Sequence, residues 1–354
     1  MLYSIQAYRG FAVLLVVLFH GANRVESKYG IAPFQDFFDF GFSGVHLFFV
    51  LSGFIILAAH VEDINIPKQL FWYLKRRLIR IYPIYWIVFF VLGGWKLLSV
   101  NANVEDFFLN ALLFMSSTKL VIPVSWTMLY EVTFYLVFAL LIMHKKIGSI
   151  AIAVWFALIL LGWGESNYHI FYPFNLLFIF GMLASVLYLK LKGMDNGTAN
   201  LISKIGFVTG AILFVATAVY YSSLDVGASE WPAHPVTILG FGIASALLVL
   251  GSVSQEIEKY FERHHRLLLI GNASYSIYLV HLWAQKEAFN LVGSFNQRAF
   301  NIIFDDGMGK SLIVSNLLFI FIVATSVIFG IVIHLKIERR LLFLLRKKMN
   351  VAKA

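Results

Sequence analysis

Cysteine is absent from the chain. That excludes a disulfide framework, a thiolate nucleophile and any metal site built on sulfur. Charge is scarce as well: 13% of residues are Asp, Glu, Lys or Arg, about half the share carried by soluble domains. With 60% hydrophobic residues and a mean hydropathy of +0.80 over 354 residues, a soluble globular enzyme is excluded. The composition instead defines an all-α, polytopic membrane protein. Acidic residues are the minority charge, 19 against 28 Lys and Arg, giving a net charge of +9. This excess does not point to nucleic acid, because the positive residues cluster in loops on one side of the membrane.

What is present is a series of apolar runs of about 20 residues, the length that crosses a bilayer. They fall near residues 5–23, 39–60, 81–99, 124–143, 147–163, 170–190, 201–221, 235–253, 267–289 and 312–334. Ten spans with both termini inside put 21 of the 28 Lys and Arg on the cytoplasmic side and leave seven outside, as the positive-inside rule requires. The chain reads as one membrane domain over 1–335 followed by a basic cytoplasmic tail, 336–354. Residues 67–80, PKQLFWYLKRRLIR, read as a helix lying flat at the interface, and 105–117 are too short to span. Aromatic residues at helix ends (Tyr82, Trp86, Trp95, Trp163, Trp231) read as an interfacial belt. The first run lacks a small-residue cleavage site and reads as a retained span rather than a leader.

That first run, SIQAYRGFAVLLVVLFHGAN, contains Arg9 and His20. An ionisable group at membrane depth costs about 2.5–3.5 kcal/mol for Arg on insertion scales and marks a functional site by default. The two lie eleven positions apart, three helical turns plus about 20°, so they share a face and stand ~16 Å apart along the axis. Other intramembrane polar residues are His46 in the second span, Glu131 in the fourth, and Tyr278 and His281 in the ninth. By depth, His20, Glu131 and His281 belong to the outer half, whereas Arg9, Arg76, Arg77 and Arg80 gather at the inner face. Singly, each has a structural reading: a packing histidine, a helix-pairing carboxylate, a basic anchor on lipid headgroups. Together they outline a polar passage through the bundle. Gly44, Ser52 and Gly53 read as close-packing positions, and Pro83 as the start or kink of the third span.

The chain resembles the membrane-bound acyltransferase family 3. Arg9 and His20 in YRGFAVLLVVLFH fit its Arg-X10-His signature. Four further blocks agree in order: GVHLFFVLSGF at 44–54, RRLIRIYPIYW at 76–86, SWTMLYEVTFY at 125–135 and IGNASYSIYLVHL at 270–282. The IQAYRG opening and the SWTMLYE block look most like the branch that decorates exopolysaccharides. Many members have Asp at the position of His46, so a carboxylate role there is absent or altered.

The resemblance implies an integral O-acyltransferase of the bacterial cytoplasmic membrane. It takes an acyl group, usually acetyl, from cytoplasmic acyl-coenzyme A and passes it to a sugar hydroxyl of a glycan or glycolipid at the outer face. Carried over by residue, His20 is the expected catalytic histidine, with Arg9 and Glu131 as its partners. Arg76, Arg77, Arg80 and Tyr85 fall in the block linked to the donor. Trp126, Tyr135, Tyr278, His281 and His46 are expected to support the site or the substrate. Acetyl-coenzyme A enters as a co-substrate, and no metal is expected, since HxxxH and HExxH spacings are missing. The expected partners are acyl-coenzyme A, the glycan acceptor and membrane lipid.

Guanidinium forks suit the coenzyme's phosphates, and its extended arm has a reach comparable to the Arg9–His20 rise. His20 then has two routes open: general base towards the sugar hydroxyl, or nucleophile forming an acyl-imidazole intermediate. Outer loops near 222–234 and 286–311 face the acceptor, where Trp231 reads as a sugar-stacking ring or an interfacial anchor. Two other classes use the same residues. A proton-coupled transporter would employ Arg9, His20 and Glu131 as a relay, but residues in spans 1–5 find no echo in spans 6–10. A non-catalytic partner of an export assembly would use the charges for helix contacts alone.

Overall fold

The computed structural model describes residues 2–94, 97, 104–114, 120–162, 169–224, 233–295 and 308–351. Among them there is no strand. The helices are α1 (Tyr3–Tyr29), α2 (Ser43–His60), α3 (Leu70–Val91), α4 (Val104–Ala111), α5 (Trp126–Met143), α6 (Lys145–Leu161), α7 (Asn175–Lys192), α8 (Asn196–Ser222), α9 (Pro235–Leu250), α10 (Gln255–Glu262), α11 (His265–Phe295) and α12 (Met308–Ile333). A π turn, His334–Glu338, then joins α12 to α13 (Arg339–Val351). The protein is an all-α polytopic membrane protein. Among the described residues, eight helices are long and apolar enough to span. The remaining two of the ten expected runs are α3, which carries four basic residues in its first half, and α6, which is 17 residues long. Trp95, Trp163, Trp231 and residues 225–232 and 296–307 of the two outer loops lie outside the described residues.

Local chemistry sets several boundaries. Gly30 closes α1 with φ +66°, and its N–H reaches Glu26 O, the left-handed cap that glycine adopts without a Cβ penalty. Asp195 starts α8 by accepting from the Thr198 N–H at 2.8 Å. That bond holds its carboxyl below the ordinary range.

One expectation needs correction and a second needs an addition. Residues 67–80 do not form a flat helix separate from the third span: a 3₁₀ turn at Pro67–Gln69 leads into a single helix, Leu70–Val91, that runs through Pro83. Its basic residues are directed at protein carboxylates and histidine rather than at headgroups alone, which is why an amphipathic pattern arose inside the bundle. The second concerns Ser52. Beyond the packing expected of it, its hydroxyl donates to Glu131 Oε1 at 3.3 Å. The final helix also stays continuous across residues 335 and 336, where the tail was expected to begin.

The bundle is built round α1, which packs on α2, α11 and α12, while α2 lies along α7 and α8 along α9. In the apolar window of α1, 72% of residues are buried, against 28% in the window of 312–347, so α1 is the axis and the last helix the rim. Close approach depends on glycine. A Cβ on Gly53 would stand 2.1 Å from Phe178 O of α7, and one on Gly44 2.2 Å from Ala12 O of α1. Without a hydrophobic driving force between helices in lipid, such backbone proximity provides the packing attraction. Gly53→Ala is therefore expected to cost about 1–3 kcal/mol through overpacking. Its thermal unfolding in detergent should fall clearly below that of wild type, whereas Gly30→Asn should melt close to it. Equal melting of Gly53→Ala and wild type would contradict the close α2–α7 contact.

Candidate active site

α1, α2, α3, α5 and α11 enclose a cavity of about 160 Å³. Its charged lining is Arg9 from α1, Arg77 and Arg80 from α3, and Glu131 from α5, with Tyr135, Tyr275 and Tyr278 completing the polar wall. Three of these four ionic groups are engaged. Glu131 Oε1 accepts from Ser52 and, in a short hydrogen bond, from the Tyr135 hydroxyl one turn along α5. Arg80 pairs with Glu338 at 2.9 Å and lies over the Tyr275 ring. Arg77 lies over the Tyr135 ring and meets His60 Nε2 at 3.3 Å.

The last contact fixes a tautomer. A guanidinium can only donate, so His60 Nε2 accepts and the proton sits on Nδ1. From there it is donated to Asp63 Oδ2 at 2.6 Å, an oxygen that also receives Arg76 at 3.3 Å. Arg9 differs from the others. It feels Arg80, Glu338 and Glu131 electrostatically, yet makes no hydrogen bond or ion pair among the described residues. An uncommitted guanidinium in a polar cavity is a ready receptor for an anion or a polarised carbonyl.

His20 does not line this cavity. At its upper end the Tyr278 hydroxyl, the Thr127 hydroxyl and the Val124 carbonyl lie within 3.0–3.3 Å of one another. Val124 belongs to a second cavity of about 420 Å³, lined also by Arg24, Trp283, Lys286 and Glu287. Beside this partition are two imidazoles, with the His20 and His281 rings 5.2 Å apart and His281 5.7 Å from the Tyr278 ring. His281 Nδ1 lies 2.7 Å from Tyr278 O and can only be the donor there. Its Nε2 therefore carries a lone pair, and this buried atom has no partner. Buried polar atoms are nearly always satisfied, and an exception calls for an explanation such as catalysis. The expected single passage from Arg9 to His20 is thus not continuous: Arg9 and Tyr278 line the first cavity, Val124 the second, and His20 lines neither.

The other expected residues lie elsewhere. Arg76 points to Asp63, outside the cavity lining. The Tyr85 hydroxyl is spent on Asn110 O at 2.7 Å, while Tyr82 and Trp86 take the carbonyls of Leu112 and Ala111. These three aromatics thus cap the carbonyls left unsatisfied at the end of α4. Trp126 packs on Phe174 and Tyr130, and His46 is buried among Phe42, Phe174 and Phe241. Sequence reasoning missed Ser52, His60, Asp63, Ser276 and Glu338. A His three residues before an Asp at the end of a span, and a lone Glu in a basic segment, were the available signals. Among the described residues no three His, Asp or Glu side chains converge as metal ligands would.

A family profile described as an acyltransferase domain matches residues 2–335. The chain belongs to this acyltransferase 3 family and is a membrane acyltransferase. It is similar to the exopolysaccharide production protein ExoZ of Rhizobium meliloti (strain 1021), at 26% identity over 285 residues, covering 76% of this chain and 81% of the relative. No solved structure matches.

The geometry separates Tyr135, expected to support the site, from Tyr85, expected at the donor: the first lines the cavity and the second does not. Tyr135→Phe removes a hydrogen bond to a carboxylate, worth about 1.5–3 kcal/mol, and is expected to lower acyl transfer by tenfold or more. Tyr85→Phe, whose hydroxyl lies off the cavity, is expected to stay within about threefold of wild type. Transfer assays at matched expression check this, and the reverse order would contradict the assignment.

Proposed function

We propose that the chain moves an acyl group, acetyl by its family likeness, from cytoplasmic acyl-coenzyme A to a hydroxyl of a cell-surface glycan or exopolysaccharide precursor. The bacterial cytoplasmic membrane holds it as a multi-pass protein with the Arg9 end of α1 inward. The observation that carries this reading is the uncommitted Arg9 guanidinium, grouped with Arg77 and Arg80 in a cavity that borders the His281–His20 pair. Guanidinium forks match phosphate and polarise carbonyl oxygen. The cavity has room for on the order of ten waters, which suits a narrow pantetheine arm and leaves the nucleotide at the mouth. The acceptor enters from the second cavity, where Trp283 offers a ring and Lys286 a charge. The name of the ExoZ relative supports a glycan acceptor.

In the transfer the sugar oxygen attacks the thioester carbonyl carbon, the C–S bond breaks and the coenzyme leaves as its thiolate. The hydroxyl proton passes to His20 and then to the thiolate. His281, with its free Nε2, is placed to orient His20 or to accept the proton from it. Alternatively, His20 first takes the acyl group as an acyl-imidazole and hands it to the acceptor. Both routes need the Tyr278–Thr127 contact to part so that thioester and His20 can meet.

Labelled acetyl-coenzyme A supplied to membranes containing the protein and its glycan acceptor tests the reading. His20→Ala is expected to lower transfer by about 10²–10⁴-fold, the usual share of a positioned acid–base group. Glu131→Ala should also lose most activity. Full transfer by His20→Ala would remove the catalytic role. Solute uptake driven by a proton gradient, without consumption of acetyl-coenzyme A, would replace the whole reading with a transporter.

A further inference from the structure

The last helix carries a carboxylate at a position with no solvent. Glu338 is 0% exposed, while its neighbours Leu335 and Ile337 are 39% and 40% exposed. The segment is therefore inverted relative to a tail, with apolar side chains outward and its acidic group inward. The inversion coincides with the π turn His334–Glu338, closed by the Arg339 N–H on His334 O. Such a turn inserts an extra residue and resets which positions face inward, and it occurs frequently at functional sites.

Both oxygens of Glu338 are used. Oε1 takes Arg80 at 2.9 Å, while Oε2 accepts from Ser276 Oγ at 2.7 Å and lies 2.8 Å from His334 Nδ1. Three elements, α3, α11 and the final helix, thus meet on one carboxylate, whose far partner is a cavity residue. Arg80 lines the cavity beside Arg9 and rests on the Tyr275 ring, which is itself held by its hydroxyl on Ile81 O at 2.7 Å. With three guanidiniums and one carboxylate lining the cavity, Glu338 neutralises Arg80 from behind, so that Arg80 neither collapses onto Glu131 nor repels Arg9 from its place. A plain structural bridge would need only the pair. Here the carboxylate is oriented by two further donors, the arrangement that fixes a partner's direction.

The geometry points to Glu338 as a positioning residue for the donor cavity: through Arg80 it sets where the anionic part of the acyl donor docks. The inference rests on the reading of the cavity as an acyl-coenzyme A site.

Steady-state kinetics with acetyl-coenzyme A on Glu338→Gln, Arg80→Gln and the double variant test it, since a charged hydrogen bond is worth about tenfold or more. Glu338→Gln is expected to raise KM for acetyl-coenzyme A by about tenfold while kcat falls far less. In the Arg80→Gln background the same change should have almost no further effect on KM, because the residue acts through Arg80. Glu338→Asp should recover part of the lost affinity. An unchanged KM in Glu338→Gln, or an equal effect with and without Arg80, would overturn the proposal. Should Glu338→Gln not fold, Ser276→Ala removes one orienting donor and is expected to raise KM about threefold; an unaltered KM there counts against the role. If wild type itself neither binds nor consumes acetyl-coenzyme A, the reading of the cavity fails and this inference falls with it.

Discussion

An ion inside an apolar bundle must be solvated by other protein groups, and this constraint organises the centre of the molecule. Water is replaced by a fixed set of donors and acceptors. Glu338 is held by arginine, serine and histidine, Asp63 by His60 and Arg76, and Glu131 by Tyr135 and Ser52. Each of these arrangements joins separate helices, so the charges act as struts between α2, α3, α5, α11 and the final helix. Against this background Arg9 stands out because it has none of these attachments among the described residues. In the proposed reading a group so costly at membrane depth is matched by the ligand.

The second organising feature is the partition between the two cavities. Tyr278 and Thr127 look into one chamber, Val124 into the other, and the imidazoles of His20 and His281 lie alongside. In the proposed reading this partition keeps water on the acceptor side away from the thioester, since exclusion of water is one way an active site prevents side reactions. The same reading divides labour along α1, with the Arg9 end meeting anionic groups and the His20 end the group that gives up a proton. The eleven-residue spacing matters because it puts Arg9 in the first cavity and His20 alongside the partition while both still face α11.

Much of this was legible in the sequence. Hydropathy runs located the helices, because a bilayer sets a length that few other constraints impose. Arg9 and Glu131 stood out by their cost at membrane depth, and the structure puts both in the lining of one cavity. Gly44 and Gly53 signalled close contacts, and the structure shows carbonyls against both. The failures are equally physical. Tyr85 sits in a polar block, but which way a tyrosine points depends on a distant short helix whose carbonyls need donors. The arginines of 76–80 read as a donor-docking cluster or, singly, as a lipid anchor, and neither reading shows their protein partners, because Asp63 and Glu338 lie 13 and 258 positions from the arginines they hold. Glu338 was hidden among basic residues, and a π turn leaves no mark in composition. Side-chain direction set by tertiary contacts is what sequence periodicity omits.

The account depends most directly on the proposal that Arg9 receives the anionic part of the donor within the cavity. Calorimetric titration of coenzyme A into the purified protein in detergent, comparing wild type with Arg9→Ala and Arg76→Ala, measures this without requiring the acceptor. The account predicts binding by wild type, a loss of about tenfold or more in Arg9→Ala, as expected for a charged contact, and near-normal affinity in Arg76→Ala, whose guanidinium is turned to Asp63. Undiminished binding by Arg9→Ala, with the loss appearing instead in Arg76→Ala, would contradict it.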